Sequence, residues 1–166
     1  MRNEMHVMVY GAILDKGQPH FTDMHVIMRG LGSIGPHHNW LITDWTCYAY
    51  PPEMQNDSEW KTGPELMEML NHLPGVQWVW GVFSGFEPQV TREQALQYPM
   101  PYADGNPGFW TNPPTLQHPL ASVEIVAFDS AFVLLLSRER EVYEAFRAAF
   151  PPSKDLFEMN ASYDRV

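Results

Sequence analysis

The sequence predicts an α+β fold: a single domain, residues 1–166, with a mostly antiparallel β-sheet and helices packed on one of its faces. Three observations favour this class. Strand patterns dominate the first half of the chain, the predicted helices are interspersed without strict βαβ alternation, and a tight hairpin precedes the last long helix. The length of 166 residues and the apolar content of 45% are enough for one domain to bury a core.

Three strands are predicted near the start of the chain. Residues 5–14 and 24–29 have strand patterns and are separated by a turn-rich stretch, and residues 40–50 alternate and are dense in aromatic and β-branched side chains. The glycine-rich segment 30–36 has a spacing similar to that of a phosphate-binding loop. It lacks the closing lysine and hydroxyl residue, and no helix is expected after it, so we interpret it as an ordinary connection.

Two capping boxes predict helix starts in the middle of the chain. The first, residues 62–65, opens a helix that has proline in its first turn and leucines at positions 66, 70 and 73 along one face. The second, residues 91–94, opens a short helix that runs to Tyr98. Between them, residues 76–86 form a predicted strand with Trp78, Trp80 and Val82 on one face and Val79 and Phe83 on the other.

Residues 99–119 contain six prolines and two glycines and show no periodicity, so they are predicted to form a long ordered loop. Loops of this length are uncommon in compact domains and are often functional. Two interpretations of Trp110, in the middle of the loop, stay open: the indole is clamped under the domain, or it is presented as a recognition surface. We expect the clamp, with Tyr102, Asp104 and Asn106 nearer to the surface.

The clearest local structure is a hairpin, in which strands 122–128 and 131–136 meet at a tight turn formed by Asp129 and Ser130. Pairing Phe128 with Ala131 gives one wholly apolar face, and we expect that face to pack on the following helix. The other face carries Glu124 with three aliphatic residues and is expected to be half covered. The apolar face consists of Val123, Ile125, Ala127, Phe132, Leu134 and Leu136.

The last long helix is predicted over residues 138–150, with Arg140 and Glu144 one turn apart on its outer side. Two prolines end it, and Ser153 is the expected cap of a final short helix over residues 155–160. Its inward residues are expected to be Val142, Phe146, Ala149 and Phe150.

Charge and composition exclude several classes of function. Ten basic residues against 20 acidic ones give a net charge of −10, which argues against a nucleic-acid surface. Cys47 is the single cysteine, so an intramolecular disulfide and a multi-cysteine zinc site are excluded. The apolar stretches are too short to span a bilayer, and the N-terminus is a poor signal peptide. We therefore expect a soluble, cytoplasmic protein without a membrane partner.

The residues that could carry chemistry form no coherent catalytic set. Seven histidines raise a metal hypothesis, but no pair has helical H-x-x-x-H spacing, and adjacent His37 and His38 are expected to point apart. Cys47 lies within a predicted strand and is interpreted as a small buried hydrophobe. No catalytic residue, metal site or cofactor is assigned. General acid–base work would need two of the carboxyls Asp44, Asp104 and Asp129 to meet in the fold.

Four segments of the second half carry a resemblance to a known family: QWVWGVFSGF at 77–86, YPMPYADG at 98–105, QHPLA at 117–121, and the ending from EIVAFDS at 124–130 to FPPSKDL at 150–156. Over about residues 76–160, roughly half of the chain, they resemble a family of small uncharacterised bacterial cytoplasmic proteins. In that family a tryptophan often precedes the Asp-Ser pair, where this chain has Phe128. The family has no established activity, so the resemblance implies no site residue.

Two functions are compatible with the sequence. The first is a non-enzymatic protein-interaction module, by analogy an immunity protein that neutralises a toxin, whose acidic and aromatic surface binds a basic partner. The second is a small-ligand-binding protein or enzyme with its site at the 99–119 loop, which a cavity lined by Asp104, His118 and another carboxylate would favour. The candidate binding residues are Tyr102, Asp104, Asn106, Trp110 and His118.

Overall fold

The structure, a computed structural model, describes residues 8–18 and 20–163, and seven strands in this part of the chain form one sheet. The strands are β1 (Tyr10–Leu14), β2 (Asn39–Cys47), β3 (Glu59–Lys61), β4 (Trp78–Phe86), β5 (Val123–Phe128), β6 (Phe132–Ser137) and β7 (Lys154–Asp155). Their order is β3-β2-β4-β5-β6-β1-β7, and every neighbouring pair is antiparallel. The predicted α+β class with an antiparallel sheet is confirmed. Residues 5–7 of the first predicted strand lie outside the described residues.

Six helices accompany the sheet: α1 (Met24–Gly30), α2 (Ile34–His37), α3 (Gly63–Asn71), α4 (Arg92–Ala95), α5 (Arg140–Ala149) and α6 (Leu156–Tyr163). Alternate residues of the central strands belong to two hydrophobic cores, one on each face of the sheet. We call the face covered by α1, α2, α3 and α5 the helical face. The opposite face, covered by residues 99–119 together with α4 and α6, is the loop face.

Helix α1 corrects the prediction of a strand over residues 24–29. The carboxylate of Asp23 caps it by accepting hydrogen bonds from two backbone N–H groups of the first turn, at 3.1 and 3.4 Å. Met24, Ile27 and Met28 are buried at the spacing of one helical face. A short apolar run is compatible with a strand or a helix, and here the cap and the packing favour the helix.

Helix α2 is a single turn at the end of segment 30–36, where the pattern predicts only a connection. Helix α3 approaches it so closely that a Cβ on Gly63 would lie 2.2 Å from the carbonyl oxygen of Pro36. From the other side, the indole N–H of Trp40 donates to the carbonyl of Gly35 at 2.8 Å. These contacts hold α2 between α3 and the sheet.

The hairpin of β5 and β6 lies where it is predicted, but its pairing is shifted by one residue. Phe128 pairs with Phe132 rather than with Ala131. Asp129 and Ser130 form the predicted tight turn, with positive φ angles of 50° and 56° and a bond of 2.9 Å from the N–H of Ala131 to the carbonyl of Phe128. Ala131 then lies between the turn and the first paired residue of β6, and this extra residue shifts the pairing. A one-residue shift reverses the face of every side chain in the second strand.

The shift changes which residues meet helix α5. Val133 and Leu135 face the helical core, whereas Leu134 and Leu136, which were expected there, lie in the core of the loop face. On the loop-side face of the hairpin Glu124 and Val126 are completely buried, whereas Phe128 and Phe132 beside the turn are partly exposed.

Strand β4 also departs from simple alternation. Trp78 packs edge to face against Phe83 in the helical core, with ring centroids 5.1 Å apart, and not on the side of Trp80 and Val82. A bulge in β2 between Thr43 and Thr46 accompanies this change of face. The predicted grouping of Trp78 with Trp80 is therefore wrong.

Both predicted capping boxes are present, at the starts of α3 and α4. Helix α5 agrees with its prediction apart from Ala149, which is exposed. The outer pair Arg140 and Glu144 forms the expected ion pair, at 2.8 Å. At the start of α6, Asp155 takes the role expected of Ser153, because its carboxylate accepts the backbone N–H of Glu158 at 2.9 Å.

Candidate functional site

Residues 99–119 form an ordered loop that serves as the core layer of the loop face. Ala103, Phe109 and Leu116 are buried in it against the sheet. One turn of 3₁₀ helix, Pro107–Trp110, forms at its centre, where the side chain of Asn106 accepts the N–H of Gly108 at 2.9 Å. The prediction of a long ordered loop is confirmed with this one helical turn added.

A hydrogen-bonded ladder joins the two ends of the loop to the sheet. The amide of Gln117 accepts the backbone N–H of Tyr102 at 2.9 Å and donates to its carbonyl at 3.0 Å. The same amide nitrogen, and the backbone N–H of Gln117, each donate to one oxygen of Glu124 at 2.9 Å. Glu124 of β5 therefore holds both ends of the loop: it binds Gln117 directly, and Gln117 in turn binds Tyr102.

Glu124 is a completely buried carboxyl whose pKa is shifted far from its ordinary value. Burial raises the pKa of Glu124 to about 7, and the hydrogen bonds from Gln117 and the charge of Arg138 oppose that shift only in part. The opposing strand places Ser84 beside it, with a buried hydroxyl that has no hydrogen-bond partner among the residues that the structure describes. The sequence does not single out Glu124 as a site residue, because a glutamate within a strand normally indicates a solvent-facing position.

Strand β2 supplies a second anchor. Asp44 adopts a positive φ of 48°, a conformation that aspartate tolerates better than most residues. Its carboxylate accepts the backbone N–H groups of Ala103 and Asp104 at 2.8 and 3.2 Å. The neighbouring hydroxyl of Thr43 donates to the carbonyl of Pro101 at 2.7 Å. Asp44 and Asp104 do meet, but through a backbone N–H rather than as a pair of carboxyls.

His118 is a buried structural histidine. Its Nε2 lies 2.8 Å from the carbonyl of Ala95, and its Nδ1 accepts the N–H of Leu120 at 3.1 Å, which assigns the proton to Nε2. Burial lowers the pKa of His118, and its ring packs edge to face on Phe86 at 4.8 Å. Both ring nitrogens are therefore occupied in holding the loop, and the imidazole is neutral at pH 7.

The end of the loop face carries an open cavity of about 490 Å³, which we call the aromatic cleft. Trp110 lies on its wall, 38% exposed, with its ring edge to face against Phe128 at 5.5 Å and Phe132 at 5.8 Å. The expectation that Trp110 is clamped is wrong, and its neighbour Phe109 occupies the buried position instead. The cleft is lined by Ile13, Asp15, Trp110, Phe132, Met159, Asn160 and Tyr163.

Asp15 is the charged residue of the aromatic cleft. One carboxylate oxygen, Oδ2, lies 3.4 Å from the Nζ of Lys154. The other, Oδ1, is buried and has no hydrogen-bond partner among the described residues. A buried carboxylate oxygen without a donor is costly, and a donor that reached this atom would relieve that cost. The sequence did not single out Asp15, because an aspartate is expected in a turn-rich stretch for local structural reasons.

The remaining predicted residues are placed in different settings. Tyr102 and Asp104 are exposed, whereas Asn106 is buried as the cap of the 3₁₀ turn. Of the five candidates, Trp110 lines the aromatic cleft and His118 lies beneath the loop. The binding role of these residues stays a prediction. Cys47 is buried, and burial raises the pKa of its thiol, which keeps it protonated at pH 7.

Comparisons with known proteins found no family model, no curated protein and no solved structure that matches the chain. The resemblance of residues 76–160 to a bacterial family therefore stays a prediction. Among the helices of the described residues, none combines the length and the apolar character needed to cross a membrane.

Proposed function

We propose that this chain is a non-enzymatic protein-interaction module that binds a basic partner through the aromatic cleft. The observation that carries the proposal is the unpartnered carboxylate oxygen of Asp15 beside a partly exposed aromatic wall that includes Trp110. A lysine or arginine side chain satisfies both features, because it donates hydrogen bonds to a carboxylate and interacts favourably with aromatic faces.

The charge of the whole chain supports the same partner. A net charge of −10 attracts a basic protein over distance and speeds its association. The aromatic composition of the cleft is typical of the residues that dominate binding energy at protein interfaces. A cytoplasmic bacterial antidote that covers a basic toxin is the role that suits the small size and the acidic charge.

The proposal is tested on the basic protein that co-purifies with the full chain at low salt. We expect its affinity to fall steeply between 50 and 500 mM salt, since exposed charges are screened over about 8 Å at physiological ionic strength. Trp110→Ala should weaken binding by about 2 kcal/mol, near 30-fold, as hot-spot tryptophans do. Asp15→Asn should act in the same direction.

Tyr48→Ala is the matched control, because Tyr48 is an aromatic residue 72% exposed and outside the cleft. It should leave the affinity unchanged. Recovery of no basic protein, an affinity indifferent to salt, or equal binding by the Trp110 variant and the control would each contradict the proposal.

A small-ligand-binding function is the second candidate, and the size of the cleft favours it. A volume of about 490 Å³ lies within the range of small-molecule sites. Asp104 and His118 do not form an acid–base pair at the loop. Asp104 is exposed, and both ring nitrogens of His118 are hydrogen-bonded to the backbone. Binding of an alkylammonium compound, with no basic protein recovered, would favour this candidate.

A further inference from the structure

The aromatic cleft has a neighbour along helix α6, a second open cavity of about 530 Å³ that we call the charged cavity. The two cavities have a common wall, which consists of Asp15, Met159 and Tyr163. A group bound in one cavity therefore lies beside the other. Beyond the common wall, the charged residues that line the charged cavity are Arg147, Lys154, Asp155 and Glu158.

Tyr163 is the exposed part of the common wall. It lies one turn after Met159 on α6, so the two side chains are neighbours along the helix. Tyr163 lines both cavities and is nevertheless 71% exposed, so its ring is open to contact from outside the protein. Tyrosines offer an apolar ring together with a polar hydroxyl, and they are enriched among the residues that dominate binding energy at interfaces.

The two cations of the charged cavity already have partners. The Nζ of Lys154 lies 3.4 Å from Oδ2 of Asp15. Arg147 donates to the hydroxyl oxygen of Tyr143 at 2.8 Å, and the same hydroxyl donates to the carboxylate of Asp155 at 2.6 Å. Each cation is therefore matched with one carboxylate, either directly or through a tyrosine.

Glu158 is the carboxylate that this pairing leaves over. Its side chain is exposed, and it forms no ion pair with any residue that the structure describes. The described residues that line the charged cavity thus carry one unbalanced negative charge. A basic side chain of a partner would balance it, and such complementary charges fix the orientation and the identity of a partner.

We propose that the basic partner covers both cavities and places one basic side chain in each, the first beside Asp15 and the second beside Glu158. The inference rests on the proposed function, since it takes the aromatic cleft as part of the binding site. Lysine and arginine have long apolar stems, which suit contact with Met159 and Tyr163 between the two carboxylates. The surface therefore favours a partner with two neighbouring basic residues over a partner with one.

The test measures the affinity of the full chain for two probes, the peptide tetralysine and the basic protein that co-purifies at low salt. Tyr163→Ala should weaken binding of both probes about tenfold, as expected when an aromatic contact at the centre of an interface is lost. Tyr48→Ala is the matched control, because Tyr48 is 72% exposed and lines neither cavity. It should bind both probes as the parent does.

A pair of charge reversals tests the second basic side chain. Glu158→Lys and Glu68→Lys each change the net charge from −10 to −8, since a positive charge replaces a negative one, so both reduce long-range attraction alike. Glu68 is exposed on α3, far along the chain from the residues of either cavity. Glu158→Lys should bind both probes at least about fivefold more weakly than Glu68→Lys, because it turns a local attraction into repulsion.

The outcomes separate this inference from the proposed function. If Trp110→Ala weakens binding while Tyr163→Ala and Glu158→Lys match their controls, the partner occupies the aromatic cleft alone and the inference is overturned. If the parent binds neither probe, the inference and the proposed function are both overturned. Thermal midpoints close to that of the parent show that the variants are folded.

Discussion

The two faces of the sheet are covered in physically different ways. On the helical face the covering backbone is bonded mostly within helices, and the contact with the sheet is almost wholly apolar. On the loop face the covering backbone has little regular structure, and side chains of other elements supply its partners. Glu124 does so through Gln117, Asp44 binds two N–H groups, and Asn160 donates to the carbonyls of Phe109 and Thr111.

This difference shows what an irregular loop requires in order to serve as a core layer. Buried backbone groups need partners, and a loop without a helical or sheet ladder must obtain them from polar side chains beneath it. Some of those side chains are ionisable groups that folding buries, as it does Glu124 and His118. The loop face therefore contains buried groups whose pKa values change on folding, which links part of the protein's stability to pH.

The largest expected effect tests whether the loop is a true core layer. Phe109→Ala on the loop face and Phe146→Ala on the helical face should each destabilise the protein by about 3–5 kcal/mol, because both rings are fully buried. Urea denaturation of both variants beside the parent measures this. A loss below about 1 kcal/mol for the Phe109 variant alone would show that the loop only rests on the sheet.

The second effect is a change with pH in the free energy of unfolding, which Glu124 on the loop face should cause. Unfolded Glu124 releases its proton near pH 4.5, whereas the folded residue keeps it up to about pH 7. Folding therefore loses stability as pH rises from 4.5 to 7, by about 3 kcal/mol in total, and the penalty is constant above that range. Glu124→Gln cannot ionise and should lack this loss.

Denaturation at pH 5 and pH 8 measures the difference, with Glu68→Gln as the control, since Glu68 is exposed on α3. The control should follow the parent. Parallel pH profiles for the parent and the Glu124 variant would place the ionisation of Glu124 at its ordinary pKa and remove this contrast between the faces.

The smallest effect concerns the ladder between the ends of the loop. Gln117→Ala leaves the N–H of Tyr102 without its acceptor and removes one donor from buried Glu124, which should cost about 1–3 kcal/mol; the carbonyl of Tyr102 keeps its bond from Asn106. Hydrogen exchange at the Tyr102 amide should accelerate far more than exchange in β5. Unchanged protection at Tyr102 would show that solvent or another group replaces the glutamine.

Local features were predictable because short-range chemistry determines them. The capping boxes at Thr62 and Thr91 each satisfy backbone groups within the same turn, and both form as predicted. Helix α5 follows from its apolar periodicity, and the hairpin from its turn residues. The prediction of a strand over residues 24–29 is wrong because a segment of six residues, four of them apolar, does not distinguish a helix from a strand.

The sequence by itself determined the α+β class, the antiparallel sheet and the presence of an ordered proline-rich loop, since periodicity and turn chemistry act over a few residues. Only the tertiary structure decided which of Phe109 and Trp110 is buried, that Glu124 lies under the loop, and that His37 and His38 share one carboxylate. Each of these depends on contacts between residues distant in the chain. A one-residue shift of register or a single bulge changes which residues are in contact, and neither can be recognised from the local composition of the chain.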